Sequence, residues 1–303
     1  MNKAEFLASG KLDFTVSKRK MAYMNTLSTE PYKETPFYCT VNDKTGNGLG
    51  PVRSKYTIIQ NRTLLDKILD NVTSYNLEKS KCGMFDGGKR IFFFIYLENQ
   101  DNEFGDDKID YYLYALSSHD GSQRVVLGIT TRMHSCSNMF ATLMSNKDNN
   151  FILKHTAGLN NIDNKSISFL VFKNIQGIKS MYIKMEQTIL PVDEQERKNV
   201  VEEFVDLFYS IKNRERVKKV IYDNRKRLEH SITLECDSKG ANYYGLFNGL
   251  THYTTHFLEK KDTVKSKRYD NFEHQKLDSL VSLTASNFNK KGLEYIYNKI
   301  SNN

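Results

Sequence analysis

Tryptophan is absent from this 303-residue chain, and proline and cysteine occur only 4 times each. Cys39, Cys82, Cys136 and Cys236 stand far apart without a CxxC spacing, which argues against a zinc knuckle and against a disulfide framework. No run approaches the ~20 apolar residues that span a bilayer, and the N-terminus lacks the apolar region of a signal peptide. We therefore expect reduced thiols, a cytoplasmic location and no membrane partner.

The chain has an excess of positive charge. The formal net charge is +8 and the pI is about 9.0, while 39% of the residues are hydrophobic and 26% are charged. A chain of this length can bury one large core or two modest ones. The positive excess favours an anionic partner such as nucleic acid. Simple solubility of a basic protein is the alternative that composition leaves open.

The most informative stretch runs from Tyr111 to Thr156. Two β-rich runs, YYLYALS and RVVLGITT, flank the turn sequence SHDGS at residues 118–122. Gly121 can adopt φ > 0 without steric cost and Asp120 can bond the backbone two residues on, so the pattern predicts a β-hairpin. After Thr131 the apolar period changes, which predicts a helix over Met133 to Met144, capped by Ser135 or Ser137.

The rest of the chain predicts an α+β fold, with an N-terminal antiparallel β-rich half and a C-terminal helical half. Short strands are expected at Lys55 to Asn61, Ile91 to Leu97 and Phe151 to Thr156, and helices dominate from Asn164 onward. Asn61 or Thr63 is expected to cap the helix that follows the first of these strands. We divide the chain into a flexible or wrapping arm (1–50), an α+β core (51–160) and a helical region (161–303).

Candidate catalytic groups are few. His252 and His256 have the spacing of a two-histidine metal site, but Tyr253 stands where HExxH chemistry requires glutamate, so a structural pair is favoured. Cys136 beside His134 suggests a nucleophile, and His119 with Asp120 a base and its orienting group; turn and capping roles explain them equally well. The acidic stretch 98–110 lacks the spacing of a calcium loop. We expect no enzyme, no cofactor and no metal site.

Cations cluster at the predicted strand ends instead. They are Lys89, Arg90, Arg124, Arg132, Lys154 and His155. Tyr112 and Tyr114 lie nearby, and a basic groove with aromatic rings suits single-stranded nucleic acid, because cations neutralise phosphates while rings stack on bases. The alternative is the solvated rim of an ordinary sheet.

Several blocks resemble a family of "phage/plasmid-like" proteins that carries a large domain of unknown function. They are KYTIIQN, GGKRIF, SSHDGS through TTRMHSCSN, KHT, YYGLFNGLTHYTTH and SNFNKKGLEYI, and together they cover roughly residues 50 to 300. The resemblance implies a protein of mobile genetic elements, without implying catalytic residues. The order of a hairpin-rich half followed by helices is also similar to the single-strand annealing proteins of phages.

The resulting hypothesis is a phage- or plasmid-encoded protein that binds or anneals single-stranded DNA, acts without catalysis and forms a homo-oligomer in the host cytoplasm. The alternative is an interaction protein that binds a host factor, for example an anti-defence inhibitor, through the basic segment Lys212 to Arg227. A metal-dependent hydrolase using His252, His256 and the acidic loop is the third reading.

Overall fold

The computed structural model of this chain describes residues 1–24, 32–98, 103–104, 107–133, 139–140, 151–156, 164–210, 219–257 and 284–301. It has the predicted α+β architecture: antiparallel sheets occupy the N-terminal half and helices most of the C-terminal half. Across the described residues, no helix combines the length and apolar character needed to cross a membrane.

Residues 1–24 and 32–53 are folded. They form helix α1 (Lys3–Ser9) and a three-stranded antiparallel sheet of β1 (Val16–Met24), β2 (Tyr32–Asn42) and β3 (Gly48–Arg53), in the order β1-β2-β3. Phe6, Leu7, Leu12 and Phe14 of this segment belong to the main hydrophobic core. Burial of these side chains fixes this part of the predicted flexible or wrapping arm to the rest of the chain.

The larger sheet has seven strands, and its central strand order is β10-β8-β7-β5-β4, with β6 on β7 and β9 on β8. The strands are β4 (Tyr75–Phe85), β5 (Arg90–Leu97), β6 (Glu103–Phe104), β7 (Asp107–Ser118), β8 (Val125–Met133), β9 (Met139–Phe140) and β10 (Phe151–Leu153). All pairings are antiparallel. The β7–β8 pair is the predicted hairpin. The predicted strand β5 lies between β7 and β4, and its apolar run from Ile91 to Ile95 is buried on both faces.

The two faces of this sheet belong to different cores, because side chains alternate along a strand. Phe93 and Leu113 lie in the main core, together with residues of the helices. The opposite face carries a separate cluster of Phe85, Phe92, Phe94, Tyr112, Tyr114 and Leu116.

Six further α-helices lie within the described residues. They are α2 (Asn61–Leu69), α3 (Asn164–Gln187), α4 (Glu194–Tyr209), α5 (Lys219–Lys239), α6 (Tyr243–His256) and α7 (Thr284–Ser301). Helix α6 packs closely on α5: a Cβ at Gly249 would lie only 2.3 Å from the Cα of Ile232. Tyr182 of α3 ties the helices to the sheet, since its hydroxyl lies 3.0 Å from that of Thr131 in β8.

Two local predictions were wrong. The helix expected over Met133 to Met144 is contradicted where the structure describes this range. Met133 is the last residue of β8 and pairs with Ile109 of β7, and residues 139–140 form β9, which pairs with β8. The rest of the range lies outside the described residues. The segment from Lys55 to Gln60 is not a strand. At α4, by contrast, Asp193 is the N-cap and accepts from the Glu196 amide at 2.9 Å, as expected.

Candidate nucleic-acid interface at the hairpin turn

The turn between β7 and β8 has the predicted chemistry. Gly121 has φ 75°, and the Asp120 carboxylate accepts from the Ser122 amide at 2.9 Å and from its hydroxyl at 2.5 Å. Ser118 closes the loop, because its hydroxyl donates to the carbonyl of Gln123 and accepts from the amide of the same residue. The turn is thus held by side chains on both sides and keeps a defined shape.

Tyr56 packs directly against this turn. Its hydroxyl donates to the Ser118 carbonyl at 2.6 Å, and its ring stacks on His155, with centroids 4.7 Å apart and an interplanar angle of 20°. Burial raises the pKa of Tyr56 above its usual value, so the hydroxyl remains a donor. The neighbouring Thr57 donates its amide to the His155 carbonyl at 2.9 Å. Tyr56 therefore joins the hairpin turn to the segment after β10.

Asn61 fixes the state of a buried histidine in the same place. Its side-chain nitrogen donates to the carbonyls of Leu12 and Phe14, so its oxygen must be the atom that faces His119 Nε2 at 2.9 Å. His119 Nε2 consequently carries the proton, and Nδ1 is a bare nitrogen without a hydrogen-bond partner. Burial lowers the pKa of His119 to about 4, with a further lowering by His155 and an opposing effect of Asp120. The imidazole is neutral at physiological pH.

His155 is similarly placed. Its Nδ1 lies 3.1 Å from the Thr57 carbonyl, which makes Nδ1 the protonated nitrogen. Burial lowers its pKa, while the hydrogen bond to the Thr57 carbonyl, the nearby Gln123 backbone and the charge of Asp120 act in the opposite direction. We call the set Tyr56, Asn61, His119, Asp120 and His155 the Tyr56 junction.

The junction is built to hold segments together. Within the described residues, no group of three or more histidine, cysteine or acidic side chains is arranged to hold a metal ion. Its two imidazoles are buried, since His119 is 0% and His155 8% exposed. The chemistry it offers is therefore packing and hydrogen bonding between four stretches of chain.

The small sheet lies against the same turn. A Cβ on Gly50 of β3 would fall 2.6 Å from the Asp120 Cβ, so only glycine permits this approach. Lys18 of β1 donates from Nζ to the carbonyls of Ser54 and Tyr56, both at 2.9 Å. These contacts bring a basic strand of the small sheet beside the end of the large one.

Cations surround the junction. The four stretches that meet there, residues 16–20, 53–60, 118–124 and 151–156, contain a single carboxylate, that of Asp120. Their cations form what we call the cationic surface: Lys18, Arg19, Lys20, Arg53, Lys55, Arg124 and Lys154, each of them exposed. Two carboxylates from neighbouring stretches contact this set: Glu34 pairs with Lys20 at 3.8 Å, and Asp43 accepts from the Ser17 hydroxyl at 2.6 Å. The cations that remain in excess create a positive potential that attracts polyanions.

Four of the predicted site residues lie at this end of the sheet. Arg124 and Lys154 are exposed and lie just beyond the paired residues Val125 and Leu153. Lys89 is half-buried and its carbonyl accepts from the His119 amide at 2.6 Å. Arg90 forms an ion pair with Asp86 within the protein, at 3.1 Å, and only 15% of its side chain is exposed. The starts of β5 and β8 and the end of β10 thus lie at the same end of the sheet.

The other four predicted residues are placed differently. Tyr112 and Tyr114 are 6% and 2% exposed and pack in the aromatic cluster of the sheet, so neither presents the ring face that stacking on a base requires. In the strand register, Arg132 of β8 lies opposite Asp110 of β7, at the end of the hairpin that is far from the turn. It is about 24 Å from the turn at the ~3.4 Å rise per strand residue. His155 is in the junction, where it is a buried packing group and not a surface cation.

The remaining candidates do not form a second site within the described residues. The His252 and His256 rings lie 4.6 Å apart on α6, and burial lowers the pKa of His252. Cys136 and His134 lie outside the described residues, as does the first part of the basic segment Lys212 to Arg227. In its helical part Arg225 is bound to Asp206 and Glu229, which leaves it little to offer a partner protein.

Sequence reasoning missed the junction and the contribution of the small sheet. Tyr56, Asn61, His119 and His155 fall in three of the blocks that carried the resemblance, KYTIIQN, SSHDGS and KHT. The blocks were read separately as strand, turn and strand. Each block has a polar or aromatic residue within an apolar context. This shared feature was the signal that the three blocks contact one another in the fold.

A family model described as a domain of unknown function (DUF932) matches residues 48–280, which is more than half of the chain. The matched range begins at β3 and takes in the Tyr56 junction. No curated protein and no solved structure matches the chain.

Proposed function

This chain belongs to the DUF932 family, a domain of unknown function, and we propose that it binds single-stranded DNA at the cationic surface without catalysing a reaction. The observation that carries the proposal is the charge of the four stretches that meet at the Tyr56 junction: seven cations against one carboxylate. Phosphate contacts by exposed lysine and arginine supply most of the affinity in such complexes.

The rigidity of the junction supports a binding role. Arg124 and Lys154 extend from strand ends that are fixed by the pairing of β8 with β10. Lys18 is held by two carbonyls, and the turn itself is closed by Ser118. Cations on a fixed frame lose less conformational freedom on binding than cations on a loose loop, so more of the electrostatic attraction appears as affinity.

The proposal includes the biological setting implied by the resemblance. A strand-annealing protein of a phage or plasmid would act as several copies along one DNA strand, in the host cytoplasm. Size-exclusion chromatography with light scattering, with and without an oligothymidylate, measures this assembly directly. A single copy on the strand at saturation would remove the annealing part of the proposal and leave the binding part.

The test of binding is a matched pair of double variants. Arg124→Ala with Lys154→Ala removes two cations of the cationic surface, and Lys184→Ala with Lys198→Ala removes two exposed cations from α3 and α4. Affinity for a fluorescent oligothymidylate at low salt is measured by anisotropy. We expect the first pair to weaken binding at least tenfold and the second to change it little.

Two results would contradict the proposal. One is that the unaltered protein retains no single-stranded DNA at low salt. The other is that the two double variants weaken binding equally, because the effect would then follow net charge and not the cationic surface.

A further inference from the structure

The β1–β2 hairpin is exposed on both of its faces beyond the junction. The part of β1 from Ser17 to Met24 and the part of β2 from Tyr32 to Cys39 contain no buried residue. We call residues 17–24 and 32–39 the ribbon. A two-stranded ribbon without burial gains little hydrophobic stabilisation of its own, so its exposed side chains are available for contacts.

Several aromatic side chains of the ribbon are unusually exposed to solvent. Tyr23 is 50%, Tyr32 65% and Phe37 44% exposed. Tyr38 is half-buried, and the ammonium groups of Lys20 and Lys18 lie 4.9 and 5.5 Å from its ring centroid. The ribbon thus has the exposed ring faces that Tyr112 and Tyr114 lack.

Cations alternate with these rings. The register pairs Tyr23 with Lys33 and Phe37 with Arg53 of β3, so a ring and a cation stand side by side on the same face. The ribbon contains four cations and one carboxylate, Glu34. Interleaved rings and cations match a single nucleic-acid strand, whose bases offer π-faces and whose backbone offers a phosphate at each step.

The ribbon is continuous with the cationic surface. Its inner end is fixed by Lys18, and by Gln60, whose side chain bonds both the amide and the carbonyl of Val16 at 2.9 and 2.8 Å. From this anchor β2 extends about 27 Å between Thr40 and Tyr32 at ~3.4 Å per residue. A strand bound at Arg124 and Lys154 would therefore meet the ribbon as it leaves the turn.

We propose that the ribbon is the base-stacking part of the DNA site, in which Tyr23 and Phe37 stack on unpaired bases. Tyr32 pairs with Met24 and therefore lies on the face opposite Tyr23. This inference rests on the proposed function and names which nucleic acid the site prefers, since bases inside a duplex present no face to these rings. A second copy of the ribbon is a poor occupant, because its charge is also positive. An anionic membrane would need a continuous apolar face, whereas Lys33 lies beside Tyr23 and Arg53 lies beside Phe37.

The experiment compares ring variants with a ring of the same chemistry elsewhere. Tyr23→Ala and Phe37→Ala are tested singly and together. Tyr222→Ala is the control, since Tyr222 is 47% exposed on α5 with the Lys226 ammonium 4.7 Å from its ring centroid. Affinities are measured for an oligothymidylate and for a duplex of equal length, and Phe37→Tyr tests whether any planar ring suffices.

We expect each stacking ring to contribute about tenfold to single-strand affinity, with duplex affinity and the salt dependence nearly unchanged and Phe37→Tyr equal to the unaltered protein. The inference is overturned if the ring variants bind the oligothymidylate as tightly as the unaltered protein while Arg124→Ala with Lys154→Ala weakens binding; the proposed function then survives alone. It also fails if the ring variants lose binding to phosphatidylserine vesicles but keep their DNA affinity. If the unaltered protein binds no nucleic acid, both proposals fall together.

Discussion

Asn61 and His119 are joined by a 2.9 Å hydrogen bond that ties the first turn of α2 to the end of β7. Because the Asn61 amide nitrogen is already committed to two carbonyls, the bond requires His119 to donate from Nε2. Burial, which lowers the pKa of His119 to about 4, keeps the ring neutral, because a proton on the partnerless Nδ1 would place a charge in the core beneath the hairpin turn.

This burial predicts acid sensitivity of the fold. The folded-state pKa of His119 is about 4, below the usual 6.5, so the unfolded chain binds a proton more readily than the folded one. The contribution of His119 to the free energy of unfolding is fully present above about pH 6.5 and is lost as the pH falls toward 4. Its size is on the order of 3 kcal/mol. Urea unfolding at a series of pH values between 7 and 4 measures it.

His119→Gln isolates this group from the other titrating residues. Glutamine keeps an N–H donor for Asn61 and does not titrate, so we expect a flatter pH dependence of stability in this window. The unaltered protein, unfolded at the same pH values, is the reference. A pH dependence of His119→Gln equal to that of the unaltered protein would mean that His119 is not the group responsible.

Removing Asn61 should cost more stability than its size suggests. Asn61→Ala leaves the Leu12 and Phe14 carbonyls and the His119 ring without their partner in a buried place, and we expect a loss of about 3 kcal/mol in the free energy of unfolding. Arg62→Ala is the matched control, because its exposed ion pair with Asp66 contributes less than about 1 kcal/mol. Thermal or urea unfolding distinguishes the two, and a similar small loss for both would contradict the role of Asn61.

The parts of this structure that could be predicted are those that depend on local sequence features. The hairpin followed from Asp120 and Gly121, because turn chemistry is local. The strand β5 and the helices followed from apolar periodicity, which is also local. The role of Asn61 was predicted wrongly as a cap, because the sequence cannot show that the carbonyls of a distant N-terminal segment come within reach of its amide.

The same limit explains the misplaced site residues. Tyr112 and Tyr114 alternate with Leu113 as a half-exposed strand would, and only the separate aromatic cluster on the second face of the sheet shows that both are buried. Arg132 was grouped with Arg124 by nearness in sequence, whereas a strand carries residues apart at ~3.4 Å per step. The ribbon was overlooked because an exposed hairpin and a flexible arm have similar composition.

The approach of the small sheet to the turn can be tested at Gly50. Gly50→Ala would place a methyl group 2.6 Å from the Asp120 Cβ, which forces β3 away from the turn, and we expect a loss of about 1–3 kcal/mol in the free energy of unfolding. Gly177→Ala in α3 meets no atom within 4 Å and should instead stabilise the protein by about 0.5–1 kcal/mol. Stability changes of the same sign for both would contradict the close approach at Gly50.

Salt dependence provides a measure of how many phosphates the cationic surface contacts. For single strands the logarithm of the binding constant falls with the logarithm of the salt concentration by ~0.7 per phosphate neutralised. We expect Arg124→Ala with Lys154→Ala to reduce this slope by about 1.4, because two contacts are lost. Lys184→Ala with Lys198→Ala should leave the slope unchanged. An unaltered slope in the first variant would show that Arg124 and Lys154 do not contact the DNA backbone.

Tyr114 separates a structural role from a binding role. Its ring is 2% exposed and lies 6.3 Å from that of Phe94, centroid to centroid, so Tyr114→Ala should open a cavity and lower the free energy of unfolding by about 3–5 kcal/mol. Tyr114→Phe keeps the ring and its packing, and we expect it to bind single-stranded DNA as the unaltered protein does, measured where both are fully folded. A folded Tyr114→Phe protein with weakened binding would mean that the hydroxyl reaches the DNA, and the sheet face would then have to open on binding. Because Phe37→Ala is expected to change binding with little change in stability, the two positions should give opposite patterns in the same pair of assays.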